Sequence, residues 1–195
     1  MEQSRKQEEI IKMERVHRIC THPLYVECME KNRQEEMNRI FCGHDMQHFL
    51  DVARLAYIFS MERGYGISKE SIYAAAVLHD IGKWMQYAQK IPHEQASAQI
   101  AEQILEDTGF EEDEKKGILL AILSHREHSK ENGRGNKLAE VLYDADKTSR
   151  NCFACTAKEA CDWGEEKKNL QVKDLLAKFE EVSGGEFAND RMMLA

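Results

Sequence analysis

The sequence predicts an all-α protein, and three observations support this fold class. Proline occurs only twice in 195 residues, which suits helices because proline interrupts helical hydrogen bonding. Apolar residues recur at steps of three and four along most of the chain, as in amphipathic helices. The sequence contains no convincing strand pattern, no internal repeat and no domain linker. We therefore expect one helical domain, which at this length buries about 70% of its unfolded surface.

The composition is typical of a soluble globular protein of the cytoplasm. Apolar residues make up 42% of the chain, charged residues make up 32%, and the net charge is −8. The sequence has no basic stripe, so a nucleic-acid scaffold is not expected. The first nine residues are charged rather than apolar, which argues against a signal peptide. No run of about 18 apolar residues predicts a membrane span.

The first half of the chain is predicted to form four helices. Pro23 suits the first turn of the second helix, where its missing N–H is not needed. Gly43 separates the second helix from the third, which Gly64 and Gly66 then end. Ser68 is a suitable N-cap for the fourth helix, whose apolar run ends at an adjacent histidine and aspartate. The predicted helices cover residues 1–19, 24–41, 44–63 and 69–80.

The second half is predicted to form four more helices with polar connections between them. Pro92 precedes the first of these helices, and Gly109 ends it. Acidic residues at 111–114 begin the next helix, where their charge interacts favourably with the positive end of the helix dipole. The predicted helices cover residues 93–107, 111–125, 138–146 and 172–182, and the predicted connections include residues 84–91 and 129–136.

Histidine and aspartate residues lie at or near the ends of five of these apolar helices. Imidazole and carboxylate are ligands that iron, manganese and other divalent ions accept. One such histidine is more often a hydrogen-bonded core residue, and an isolated His-Asp pair fits a buried hydrogen bond. The complete set favours a metal site formed by His48, His79, Asp80, His93, His125 and Asp146.

Three motifs lie in a fixed order along the chain, namely GHDMQHFLDVA at 43–53, LHDIGK at 78–83 and YDADK at 143–147. Together they resemble the HD-domain superfamily of metal-dependent phosphohydrolases. The segment GHDMQHFLDVA at 43–53 resembles the first motif of that superfamily, and the resemblance implies that His48 is the first metal ligand. The segment LHDIGK at 78–83 is similar to the His-Asp signature motif. The segment YDADK at 143–147 resembles the closing motif, and the resemblance implies that Asp146 is the last metal ligand.

Two further segments resemble the extra histidine motifs of the two-metal HD branch. They are IPHEQASA at 91–98 and AILSH at 121–125, and the resemblance implies that His93 and His125 bind a second ion. This branch includes HD-GYP phosphodiesterases and HD-type diadenosine tetraphosphate hydrolases. The chain lacks the Gly-Tyr-Pro motif of the former, and it carries Arg126 where the latter usually have Thr. The resemblance therefore implies neither of those two substrates.

The resemblance implies an all-α HD-domain helical bundle over a single domain of residues 1–195. The motif-bearing core is expected at about residues 40–150, with helical extensions on both sides. The implied activity is divalent-metal-dependent hydrolysis of a phosphate ester or anhydride in a nucleotide-like small molecule, by attack of a metal-bound hydroxide. Two ions of iron or manganese are expected, and magnesium, zinc, nickel or cobalt could use the same ligands. Two alternatives stay open, a mixed-valent di-iron oxygenase and a non-catalytic nucleotide-binding regulatory module.

Two residues near the signature motif are expected to take part in catalysis. Asp80 can bridge two ions, because a carboxylate can offer one oxygen to each ion. Lys83 lies one helical turn after His79 and could reach a phosphate oxygen. Alternatively, it could be a solvated lysine whose charge interacts favourably with the negative end of the helix dipole. His44 could support a ligand, contact the substrate or bind an ion itself. Other candidates for phosphate contacts, or else solvated surface residues, are Arg126, His128, Lys147 and Arg150.

The cysteines form a second pattern outside these motifs. Cys152, Cys155 and Cys161 follow the closing motif as Cys-x2-Cys-x5-Cys, and Cys-x2-Cys is a metal-ligand spacing. Three cysteines need a fourth partner, and Cys42 beside the first motif is the candidate. A structural zinc site, an iron–sulfur site and ordinary reduced thiols all fit this pattern.

Overall fold

The computed structural model describes residues 13–126 and 136–171. Within these ranges the chain forms eight α-helices and three short 3-10 helices and contains no β-strand, so the predicted all-α class is confirmed. The α-helices are α1 (Glu14–Thr21), α2 (Pro23–Glu35), α3 (Met46–Glu62), α4 (Lys69–Leu78), α5 (Lys83–Gln89), α6 (His93–Asp107), α7 (Glu112–Ser124) and α8 (Lys137–Thr148). The 3-10 helices are Cys152–Ala154, Lys158–Ala160 and Glu165–Lys167.

Some of the predicted segments lie outside the described residues. These are the first twelve residues of the predicted N-terminal helix, the connection at 129–136 apart from its last residue, and the predicted helix at 172–182. Of the helices that are described, none is long and apolar enough to cross a membrane.

Helix α4 lies at the centre of the fold. The five consecutive residues at 74–78 are all fully buried, and three of them are alanines. A helix that is apolar on every face must be covered on every face, and α4 contacts α1, α3, α6, α7 and α8. Alanine side chains are small enough for these neighbours to approach closely. The end of α4 is therefore surrounded by the ends of several other helices.

Local hydrogen bonds explain where the helices begin. The Asp45 carboxylate accepts a bond from the backbone N–H of His48 and caps α3. Ser68 caps α4 as predicted, because its hydroxyl accepts a bond from the N–H of Ser71 at 3.0 Å. Asn136 caps α8, because its side-chain oxygen accepts bonds from the backbone N–H groups of Leu138 and Ala139. Hydrogen bonds from short polar side chains therefore determine where these three helices begin.

The predicted connection at 84–91 is wrong, because residues 83–89 form helix α5. Helix α5 is only seven residues long and none of its residues is fully buried, so its periodic pattern is too short to predict a helix. It is held instead by Asn32 of α2, whose side-chain oxygen accepts a bond from the N–H of Trp84 at 2.8 Å. The amide of Asn32 also donates to the Asp80 carbonyl at 3.0 Å. These two hydrogen bonds of Asn32 join distant parts of the chain, so the local sequence does not predict them.

The second predicted helix is shorter than expected. It was predicted to reach residue 41, whereas α2 ends at Glu35 and leaves Met37 and Ile40 exposed. The carboxylate of Glu36 accepts a bond from the backbone N–H of His44 at 2.8 Å, so the chain turns back on itself here. The apolar residues that suggested a longer helix therefore lie in a loop.

Gly82 brings the end of α4 into direct contact with α6. Its N–H donates to the hydroxyl of Ser97 at 2.9 Å. A Cβ atom built on Gly82 would lie 2.5 Å from the backbone nitrogen of Ser97 and 2.7 Å from the carbonyl carbon of Ala96. Backbone atoms of a helix cannot move aside cheaply, so this position requires glycine. The close approach fixes the distance between the end of α4 and the start of α6.

We expect Gly82→Ala to lower the free energy of unfolding by about 1–3 kcal/mol, the usual cost of overpacking. Gly117→Ala is the matched control, because a Cβ there meets none of the described atoms within 4 Å. That control lies inside α7, where alanine should be neutral or stabilise by about 0.5–1 kcal/mol. Urea unfolding of both variants in chelator would measure the effect. Equal midpoints for the two variants would contradict it.

Candidate metal centre

Six side chains from five helices or their ends meet in one buried centre. They are the six residues that the sequence singles out, and they form two sets of three. Within each set the possible ligand atoms all lie within 4.8 Å of one another. The first set is His48, His79 and Asp146, and the second set is Asp80, His93 and His125. We call the two sets together the histidine–aspartate centre.

The ends of the helices place these side chains. His48 lies in the first turn of α3, and His93 is the first residue of α6. His79 and His125 directly follow α4 and α7, and Asp146 lies near the end of α8. His79 and Asp80 are adjacent in sequence, yet each belongs to a different set. Neighbouring residues at a helix end point in different directions, so one dipeptide serves both sets.

Several polar atoms of the centre are buried without a partner. His48 Nε2, His79 Nε2 and Asp80 Oδ1 have no hydrogen-bond partner among the described residues. Their close neighbours lack hydrogen-bond geometry, for example Asp146 Oδ1 at 3.5 Å from His48 Nε2 and His93 Nε2 at 3.1 Å from Asp80 Oδ1. An unsatisfied buried polar group costs about 1–3 kcal/mol. Bound cations would satisfy these atoms, so the residues present fit a metal centre.

The histidine contacts also fix which ring nitrogen faces the centre. The Nδ1 atoms of His79 and His125 lie 2.7 Å from the Ala76 carbonyl and 2.5 Å from the Ile122 carbonyl. A carbonyl accepts only, so each Nδ1 carries a proton, and in the neutral ring each Nε2 keeps its lone pair and faces the centre. His93 Nδ1 likewise contacts a glutamine oxygen at 2.5 Å. The Nε2 atoms of His93 and His125 therefore face each other at 3.1 Å without a proton between them, an arrangement that a shared cation explains.

Electrostatics favour the protonation states that metal ligation needs. Burial lowers the pKa of His48 to about 4 and the pKa of His93 to about 3, so both rings are neutral at pH 7. Burial alone would raise the carboxyl pKa values, but nearby positive charge outweighs it. The pKa of Asp80 is held well below its usual range by His79 and His44, and the pKa of Asp146 is lowered by cationic neighbours. His79 differs from His48 and His93 in this respect. Burial opposes its protonation, but the Asp80 and Asp146 carboxylates outweigh burial and raise its pKa, so a cation would have to displace that proton. Neutral imidazoles and ionised carboxylates are the forms that bind metals.

Cationic side chains support Asp146 from outside the centre. Lys147 forms an ion pair with its Oδ2 atom, and Arg150 Nη2 lies 3.3 Å from the same oxygen. Both residues are candidates for phosphate contacts from the sequence, and the structure places both against Asp146. Arg126 is more than half exposed and lies 3.5 Å from Glu94. His128 is outside the described residues.

His44 and Lys83 lie at the edge of the centre. His44 Nε2 is 3.6 Å from Asp80 Oδ2, while its Nδ1 pairs with the Glu36 carboxylate. The Tyr87 hydroxyl also donates to Glu36, at 2.8 Å. Sequence reasoning did not identify Glu36, because no motif or spacing connects it to the site. Lys83 is half-buried, with Nζ 3.5 Å from His93 Nδ1, and burial lowers the pKa of its ammonium.

Comparison with known proteins agrees with this geometry. The model of the HD domain family matches residues 46–151 of the chain. A protein of Clostridium beijerinckii, which is named only as an uncharacterized protein, is 41% identical over 160 residues. The alignment covers 82% of this chain and 99% of that relative. No solved structure matches the chain. The family match contains all six residues of the histidine–aspartate centre, and together they support divalent-metal binding.

We expect Mn²⁺ or Fe²⁺ to stabilise chelator-treated protein, by about 2.7 kcal/mol when the free ion is 100 times its Kd. His79→Ala should lose most of the bound metal and most of this stabilisation, because it removes a buried imidazole of the first set. The control is His17→Ala, which changes an exposed histidine of α1. Metal analysis and thermal unfolding provide the two measurements. If His79→Ala kept the metal content of wild type, its assignment as a ligand would be wrong.

Proposed function

The chain belongs to the HD-domain family, and we propose that it is a divalent-metal-dependent phosphohydrolase. The proposed substrate is a phosphate ester or anhydride of a nucleotide-like small molecule. The observation that carries the proposal is the meeting of two histidine–carboxylate sets at one adjacent pair, His79 and Asp80. One cation held by each set would suit a phosphoryl group, whose oxygens could contact both.

We propose that each set holds one ion and that the ions are iron or manganese. Imidazole and carboxylate are suitable ligands for both metals. Bound divalent ions would neutralise phosphate charge and lower the pKa of water, so that hydroxide is available near neutral pH. The chain itself then has to hold the substrate beside the ions, balance its charge and orient the ligands.

Asp80 has the position of a bridging carboxylate. Its Oδ2 atom lies 3.3 Å from His79 Nε2, and its Oδ1 atom lies 3.1 Å from His93 Nε2 and 3.6 Å from His125 Nε2. One oxygen therefore faces each set, which supports a role in binding both ions. Glu36 and Tyr87 hold the His44 ring against the same carboxylate, so we assign His44 and Glu36 to orienting Asp80.

Lys83 is the cation placed to contact a phosphate at the centre. Its ammonium lies beside His93 and interacts with the carboxylates of Asp80 and Asp146. Because the side chain is only half-exposed, its charge is less screened than that of a surface lysine. A phosphate oxygen that approached the ions from this side would meet Lys83 as a point charge.

A cavity of about 720 Å³ beside the centre supports a substrate with a bulky organic part. His44 and Glu36 are among its lining residues, and His44 Nε2 lies 3.6 Å from Asp80 Oδ2, so one side chain joins the cavity to the centre. Its apolar lining includes Met29, Met37, Phe41 and Met46, and two arginines of the lining are Arg33 and Arg39. Cavities of this size and mixed lining suit compounds as large as a nucleotide. The apolar surface would hold the base, and the arginines would favour additional phosphates.

Turnover by metal-loaded protein tests this proposal. The protein is purified without chelator, loaded with manganese or with iron under anoxia, and supplied with phosphate monoesters and nucleotides. We expect release of phosphate or of a cleaved nucleotide, and no release by His79→Ala. Nucleotide binding without turnover would instead indicate a regulatory module. Oxygen uptake that requires iron, without phosphate release, would indicate the oxygenase.

Two ions per chain are expected at saturating manganese or iron, and His93→Ala or His125→Ala should reduce this ratio towards one. Each substitution removes a ligand of the second set only. Activity should disappear in both variants, because the remaining ion lacks its partner. A wild-type ratio of one that both variants retain would contradict the two-ion hypothesis and favour a mononuclear site.

Lys83→Met should reduce kcat by about 10²-fold or more, the usual loss when one stabilising contact to a reacting oxyanion is removed. Metal content should stay that of wild type, since Lys83 is not among the proposed ligands. Lys116→Met is the control, because its side chain is 67% exposed on α7. Steady-state kinetics on the substrate that the turnover assay identifies would measure kcat for both variants. Unchanged kcat in Lys83→Met would show that this lysine makes no contact with the phosphate in the transition state.

A further inference from the structure

A second group of metal-type ligands lies outside the histidine–aspartate centre. Cys42 lies in the loop between α2 and α3, whereas Cys152, Cys155 and Cys161 follow α8. The fold nevertheless brings these parts of the chain together. The Cys42 thiol interacts electrostatically with the thiols of Cys152 and Cys155 and with the guanidinium of Arg150. Cys42, the candidate for the fourth cysteine, therefore lies within electrostatic range of the Cys-x2-Cys pair.

The backbone repeats one geometry at two of these cysteines. Cys155 ends the first 3-10 helix with φ −75° and ψ 126°, and Cys161 ends the second with φ −77° and ψ 124°. The N–H of Cys155 donates to the Cys152 carbonyl at 3.2 Å, and the N–H of Cys161 donates to the Lys158 carbonyl at 3.4 Å. Each thiol thus follows a single tight turn. Short turns of this kind bring the two thiols of a Cys-x2-Cys ligand pair near each other.

The segment that carries these cysteines has almost no core of its own. Between residues 151 and 171 only Ala157 and Asn169 are fully buried, and the only helices are three single turns. All the cysteines are free thiols. Segments with so little buried apolar surface commonly depend on a disulfide or a metal as a cross-link. Free thiols with ligand spacing favour the metal.

We propose that Cys42, Cys152, Cys155 and Cys161 bind a thiophilic metal centre that is separate from the histidine–aspartate centre. A zinc ion and an iron–sulfur cluster both accept four thiolates. Among the described residues, the sets of three ligand atoms within 4.8 Å of one another are those of the histidine–aspartate centre, and the cysteines form none. Thiolates around one zinc ion lie only about 3.8 Å apart, given Zn–S bonds of ~2.3 Å. The wider arrangement favours a 4Fe–4S cluster, in which each thiolate binds a different iron, whereas two thiolates share each iron of a 2Fe–2S cluster.

This second centre would act on the first through Arg150. The Arg150 guanidinium lies 3.8 Å from the centre of the Trp163 ring, two residues after Cys161, and 3.3 Å from Asp146 Oδ2. The Asn169 amide donates to the Arg150 carbonyl at 2.8 Å and holds the same segment against the end of α8. A metal that cross-links the cysteines would therefore keep Arg150 in place against Asp146. The family match covers residues 46–151 and contains none of the four cysteines.

Anoxic purification without chelator, followed by titration with an organomercurial, tests the proposal. The mercurial displaces metal from thiolates, so wild type should release zinc, or iron together with acid-labile sulfide. Cys42→Ser and Cys155→Ser should lose this fraction, although the two residues lie more than one hundred positions apart. Cys20→Ser is the control, because Cys20 is a half-buried thiol that contacts Tyr25 instead. This control should release as much metal as wild type.

His79→Ala separates this result from the proposed function. That variant should still release the thiolate-bound metal, even though it loses metal from the histidine–aspartate centre. Release of zinc without sulfide would identify a zinc ion, and release of iron with sulfide would identify a cluster. No mercurial-dependent release from wild type would overturn the proposal, and so would full release from folded Cys42→Ser and Cys155→Ser. If one of these variants fails to fold, the other and the wild-type titration still decide.

Discussion

The carboxylate of Asp80 is the buried charge on which the arrangement of the centre depends. A carboxylate that is almost fully buried must be compensated by positive charge or by hydrogen bonds. The described chain supplies imidazoles on both sides of Asp80, yet leaves its Oδ1 atom without a hydrogen bond. The four histidines and Asp146 are held by their own helices at distances that suit a cation between them. The centre is thus organised around a charge that protein groups alone do not satisfy.

The fold meets this requirement by surrounding α4 with other helices. Because α4 is apolar on all faces from residue 74 to its end, the helices around it must pack closely, and their ends converge where α4 ends. Helix ends are the places where polar side chains can turn inward without interrupting helical hydrogen bonds. Gly82 and Asn32 then fix the backbone at Asp80 and just after it, through the contact of Gly82 with α6 and through the Asn32 hydrogen bonds to the Asp80 carbonyl and the Trp84 N–H.

The proposed functions of the molecule depend on segments just outside this core. The loop after α2 lines the cavity and presents His44, and it also carries Cys42. The segment after α8 carries the other three cysteines of the pattern and places Arg150 against Asp146. A metal bound by the cysteines would join these two segments on the same side of the centre. The same thiolate-bound metal would then stabilise both the loop that lines the cavity and the contact of Arg150 with Asp146.

The sequence by itself determined the all-α class, the helix starts at Pro23 and Ser68, and the motif order of the six residues. These features come from local chemistry, namely caps, proline geometry and apolar periodicity, which act over a few neighbouring residues. Only the tertiary structure decided how the six residues divide into two sets. His93 and His125 lie 32 positions apart, and no spacing rule predicts that their Nε2 atoms meet.

The same limit explains the errors along the chain. Helix α5 and the early end of α2 depend on Asn32 and Glu36, whose partners lie 8 to 52 positions away. Such contacts form only when the helices pack, so local patterns cannot reveal them. Likewise, the spacing of Cys152 and Cys155 is visible in the sequence, but the neighbour that completes their pattern is decided by the fold. Long-range packing, rather than residue identity, determines which of these polar groups can act together.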